Sequence, residues 1–71
     1  MKIIDVSDKY TYNNQHLNGS INIPYDDLIN NYRRYLNKTE SYYLYCKSGK
    51  LSKRATIILS LLGYKVYHLE K

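Results

Sequence analysis

The sequence has one cysteine, no tryptophan, no phenylalanine and no long apolar run. A lone cysteine excludes an internal disulfide and any four-cysteine metal site, and a single free thiol suits a reducing compartment. Because no apolar stretch approaches bilayer length, no membrane span is expected, and the acid at Asp5 comes too early in the chain for a signal peptide. These features together predict a cytoplasmic protein. Acidic residues are also scarce, 6 against 11 Lys plus Arg, and the net charge of +5 would draw in anions of any size. The basic residues are dispersed and form no RNA-binding signature, so the charge gives no support to a nucleic-acid partner.

What is present describes a folded domain. The 71 residues leave room for one domain with a small core, and 44% hydrophobic against 24% charged residues excludes a disordered tail. Ten tyrosines supply all the aromatic content. Tyr42, Tyr43 and Tyr45 fall within one strand-like run, which assigns them to packing at the core and its rim.

Lys2–Val6 reads as a β-strand, and Ser7 and Asp8 offer caps for a helical turn through Tyr12. After a polar, turn-prone segment, Ser20–Ile23 reads as a second strand stopped by Pro24. From Asp26 to Leu36 the apolar positions Leu28, Ile29, Tyr32, Tyr35 and Leu36 recur at helical spacing. Tyr42–Tyr45 forms a third strand ending at Cys46. Ser52 is then placed to cap an apolar helix that Gly63 terminates, and Tyr64–Leu69 closes the order as a fourth strand. Such alternation predicts an α/β fold: a small, mainly parallel sheet of about four strands with helices on both faces. Ligands of such sheets gather beyond the carboxyl ends of the strands, where Asp5 and Cys46 both fall.

Cys46 opens the segment Cys46-Lys47-Ser48-Gly49-Lys50-Leu51-Ser52 between a strand and a helix. A thiol reacts as its thiolate, which is the minor form near neutral pH without assistance. Backbone N–H groups in a loop leading into a helix, the helix N-terminus, and the charges of Lys47 and Lys50 would all favour the anion. Small residues at Ser48 and Gly49 let the backbone curl around a sulfur. Protein tyrosine phosphatases and arsenate reductases share this plan but end it with an arginine that clamps the oxyanion after five intervening residues. Here Ser52 stands at that position and Arg54 lies beyond it, so phosphoryl chemistry is disfavoured.

With these segments in place the chain resembles rhodanese-like domains along nearly its whole length. Ile3-Ile4-Asp5-Val6 is similar to the family's opening Asp-Val strand, His16–Pro24 to its "G-H-I-x-G-A-x-N-I-P" segment, and Tyr43–Gly49 to "V-x-Y-C-x-S-G". Leu61–Glu70 matches the closing "L-x-x-x-G-[FY]-x-x-V-x-x-L-x-G" loosely. The resemblance implies a sulfurtransferase or persulfide carrier with Cys46 as nucleophile. Lys47, Ser48, Gly49, Lys50, Leu51 and Ser52 would form the substrate loop. The donor would be thiosulfate, another small anionic sulfur compound, or a persulfide-bearing protein, and the acceptor cyanide or a thiol. Neither a cofactor nor a metal is implied. Lys47 stands where active members commonly carry arginine or lysine.

The chain departs from the pattern at Ser7, where an arginine is usual, at Gln15, where a glycine is usual, and at Leu51, where active members often have arginine or threonine. Residues 1–71 also lack the family's first strand, the Gly-rich turn after Glu70 and the closing C-terminal helix. Exposed apolar surface is the expected consequence, with a homodimer as one way of covering it. These departures motivate an alternative, a catalytically weak or inactive rhodanese-like interaction module. His16 and Asp5 are assigned structural hydrogen-bonding roles, and His68, far along the chain, is given none.

Overall fold

The computed structural model describes residues 2–70. Four strands, β1 (Lys2–Asp5), β2 (Ser20–Asn22), β3 (Ser41–Tyr45) and β4 (Lys65–His68), form one parallel sheet in the order β2-β1-β3-β4. The helices are α1 (Lys9–Asn14), α2 (Tyr25–Asn30), α3 (Tyr32–Tyr35) and α4 (Lys50–Leu61). The chain moves from β1 to β2 in one direction across the sheet and from β2 through β3 to β4 in the other. Right-handed crossovers therefore put α1 on one face and α2, α3 and α4 on the opposite one.

That second face carries the core. Ile4, Tyr42, Leu44 and Val66 point from the sheet into Leu28, Leu36, Ala55 and Leu59 of the helical layer. Leu44, on a strand with neighbours on both sides, is wholly excluded from solvent. On the α1 side the cover is thinner, because α1 has six residues. Tyr43 and Tyr67 pack against each other there with ring centroids 5.6 Å apart, and Tyr67 stays 49% exposed. The tyrosines thus do the packing work assigned to them.

Local signals explain most element ends. The Asp8 carboxylate accepts from the Thr11 N–H at 2.8 Å and caps α1. Gly63, at φ +96°, ends the C-terminal turn after α4, where the Tyr64 N–H donates back to the Leu59 carbonyl at 3.0 Å. One expected helix is two: the run from Asp26 to Leu36 breaks at Asn31, whose backbone at φ −133° and ψ 33° leaves the helical region and whose side-chain amide donates to the Asp27 carboxylate at 2.8 Å. An asparagine amide competing for nearby polar groups interrupts the helix without disturbing the apolar face that Leu28 and Leu36 share. No helix of the described residues is long and apolar enough to cross a membrane.

Candidate active site

The sheet changes winding direction between β1 and β3, and residues beyond their carboxyl ends face a crevice. Asp5 and Tyr45 are paired neighbours at those ends. Two openings flank the segment that follows Tyr45. One, of about 370 Å³, is lined by Asp5, Ser7, Thr11, Gln15, His16 and Lys47 among others. The other, of about 230 Å³, is lined by Cys46, Lys47, Ser48, Gly49, Lys53, His68 and Glu70 together with Tyr45 and Leu69. Lys47, exposed, borders both.

Cys46 is buried with 4% of its surface accessible, and the start of α4 is built around its sulfur. Gly49 occupies the N-cap position of α4 and, having no side chain, satisfies none of the free N–H groups in the first turn. The Ser52 N–H therefore turns to Cys46 Sγ, at 3.4 Å. The Ser52 hydroxyl lies 3.5 Å from the same sulfur and the Ser48 hydroxyl 3.8 Å from it. Burial pushes the Cys46 thiol up, but hydrogen bonds from the Ser52 hydroxyl and N–H, the Ser48 hydroxyl and the Gly49 N–H outweigh it. The thiol is left below its ordinary value.

Ser52 is not the cap that the sequence pattern suggests. It sits inside the first turn, fully buried, and its hydroxyl donates to the Gly49 carbonyl at 3.2 Å instead of accepting from a helix N–H. A glycine at the cap, needed for the left-handed turn at φ +81°, displaced the serine to this inner position. Lys50 and Leu51 lie exposed on the opening turn and are not among the residues lining either cavity, whereas Ser48 and Gly49 line the one over Cys46.

Gly49→Ala tests this account of the turn. A Cβ there would meet the His68 ring at 3.7 Å, an ordinary contact, so the cost is conformational. We expect the midpoint of urea unfolding to fall by the equivalent of about 1–2 kcal/mol, the usual penalty for an L-residue in the left-handed region. An unchanged midpoint would show that the turn does not need glycine.

Asp5 and His16 are held by backbone contacts. The buried Asp5 carboxylate accepts from the Ser7 N–H at 2.8 Å, ordering the chain as it leaves β1. His16 stacks on Tyr12 with centroids 3.9 Å apart, and its Nδ1 lies 2.8 Å from the Tyr12 carbonyl oxygen.

The residue that sequence reasoning missed is His68. Strand β4 pairs with β3 so that His68 stands opposite Leu44, just before Cys46, and its Nδ1 lies 3.0 Å from the Ser52 hydroxyl. On the far side of the ring, Nε2 lies 3.7 Å from the Glu70 carboxylate. The one usable signal was its parity with the buried Val66, which sets both side chains on the face that looks toward α4.

Comparison with known proteins agrees with this architecture. The family model described as rhodanese-like domain matches residues 1–71. A tRNA sulfurtransferase of Pyrobaculum aerophilum is 33% identical over 69 residues, covering 97% of this chain but 14% of that protein. The chain therefore spans about a seventh of this curated relative. Among solved structures, a rhodanese-related protein from Thermoplasma volcanium superposes with a TM-score of 0.87 at 28% identity, over 97% of this chain and 68% of that one. The reduced CoADR-RHD of Bacillus anthracis gives 0.84 at 30% identity, over 94% of this chain and 12% of that one.

Proposed function

The chain belongs to the rhodanese-like domain family, and from that premise we propose that Cys46 is the nucleophile of a sulfurtransferase or persulfide carrier. The observation that carries the reading is the pair of Ser52 hydrogen-bonding groups on the Cys46 sulfur, at 3.4 and 3.5 Å, in a thiol held below its ordinary value. A buried sulfur that accepts from the Ser52 N–H and has two hydroxyls within reach is prepared to carry negative charge.

In the proposed reaction the Cys46 thiolate attacks the outer sulfur of thiosulfate. A new S–S bond forms to Cys46 as the donor's S–S bond breaks, and sulfite departs with the bonding electron pair. The product is a persulfide anion on Cys46. A cyanide or thiolate acceptor then attacks the terminal sulfur and Cys46 leaves as thiolate, regenerating the starting state. A persulfide on another protein would enter by the same attack, with that protein's thiolate as leaving group. Lys47, at the border of both cavities, supplies positive charge at the mouth for an anionic donor. Nothing in these steps calls for a cofactor.

Incubation with thiosulfate followed by intact mass measurement tests the reading. We expect a gain of one sulfur atom, lost on treatment with a thiol reductant. A folded protein that gains none would overturn it.

A further inference from the structure

We propose that His68 is a positioning residue for Cys46, holding the countercharge of the thiolate through the Ser52 hydroxyl that stands between them. The inference rests on the reading of Cys46 as nucleophile and adds a group the sequence pattern did not assign. Its basis is a continuous line of polar contacts: Cys46 Sγ to Ser52 Oγ at 3.5 Å, Ser52 Oγ to His68 Nδ1 at 3.0 Å, and His68 Nε2 to the Glu70 carboxylate at 3.7 Å. Ser52 is fully buried, so the competitor for its hydroxyl proton is the Gly49 carbonyl at 3.2 Å and not water.

A serine hydroxyl has one proton to give and lone pairs to accept, so the line runs in either direction. With a neutral thiol, the S–H donates to Ser52 Oγ, and the Ser52 O–H, which has the Gly49 carbonyl at 3.2 Å and His68 Nδ1 at 3.0 Å as alternative acceptors, turns from the carbonyl to an unprotonated Nδ1. Passing the thiol proton to the serine oxygen, and the serine proton on to Nδ1, reverses both bonds. The product is a thiolate accepting from the Ser52 hydroxyl, which in turn accepts from the imidazolium Nδ1–H. The hydroxyl is regenerated and no proton is gained or lost. Nε2–H faces Glu70 in both states, so the carboxylate favours the orientation that points Nδ1 at Ser52.

The ionisable groups facing this cavity from the surrounding elements are Tyr45 of β3, Lys47 of the loop, Lys53 of α4 and Glu70 beyond β4.

The test is the pH dependence of iodoacetamide alkylation, which reports on Cys46 alone because the chain has one cysteine. His68→Asn keeps a side-chain amide near Ser52 but does not titrate. Its alkylation rate near neutral pH should fall about tenfold, the equivalent of one pH unit in the profile, while the rate at alkaline pH, where the thiol is ionised regardless, stays unchanged. His68→Gln serves the same test if the asparagine variant does not fold. In a Ser52→Ala background the His68 substitution should have little further effect, since the connection is already cut. Superimposable profiles for wild type and a folded His68 variant would overturn the proposal. So would an undiminished His68 effect in the Ser52→Ala background. Alkylation needs no sulfur donor, so a failure to take sulfur from thiosulfate would count against the proposed function while leaving this result to stand or fall separately.

Discussion

Cys46→Ser should take up no sulfur from thiosulfate while remaining folded. The side chain changes by one atom and stays within reach of hydroxyl partners at Ser48 and Ser52, so a buried serine hydroxyl has somewhere to bond. Its oxygen, however, remains protonated across the accessible pH range and has little affinity for sulfane sulfur. Mass measurement after thiosulfate treatment, with circular dichroism to establish the fold, reads this directly. Sulfur retained by the serine variant would place the acceptor elsewhere and remove Cys46 from the mechanism. A partner protein that binds the serine variant as tightly as the parent would instead favour the interaction-module reading.

The same substitution should change how stability depends on pH. The Cys46 thiol is held below its ordinary value in the folded chain, and burial, the largest influence on it, acts the other way. A depressed folded value means the thiolate contributes stability above the unfolded-chain value, and this contribution is lost as pH falls through the folded one. Urea unfolding from about pH 7 to about pH 10 should therefore show a rising component in the parent that Cys46→Ser lacks. Parallel curves for the two proteins would show that folding does not perturb the thiol.

Leu44→Ala should have the largest effect on the fold. Leu44 is fully buried on β3, between β1 and β4, and belongs to the core cluster with Ile4, Val66 and Leu59. A leucine truncated in such a place costs about 2–5 kcal/mol, transfer and residual cavity together. A chain of 71 residues has about 4–10 kcal/mol in total. The loss is then a large share of the whole, and the thermal midpoint should drop by at least about 8 °C, at about 4–8 °C per kcal/mol for a domain of this size. A drop of a few degrees would mean that the helical layer collapses onto the space that Leu44 leaves.

Legibility differed between fold and site. The alternation of strands and helices could be read because apolar periodicity is a local property, visible wherever Leu28 and Leu36, or Ala55 and Leu59, share a helical face. The break at Asn31 escaped that reading because the interruption leaves the apolar face in register on both sides. Cys46 and its loop were legible as a contiguous segment with a known relation between strand end and helix start. Within that segment the role of Ser52 was misplaced by three positions, since a glycine cap and a serine cap look alike in sequence when both precede an apolar helix.

By itself, then, the sequence determined the α/β class, the position of a lone thiol at a strand end, and the family to which the chain belongs, all of which rest on neighbours along the chain. Tertiary structure alone decided what stands behind Ser52. His68 lies 16 residues from Ser52 and reaches it because β4 pairs with β3 in one register out of several, and a slip of one residue would turn the imidazole to the opposite face. That register follows from burying Val66 beside Tyr42 and from the turn at Gly63, a balance of packing over the whole sheet that no single segment encodes.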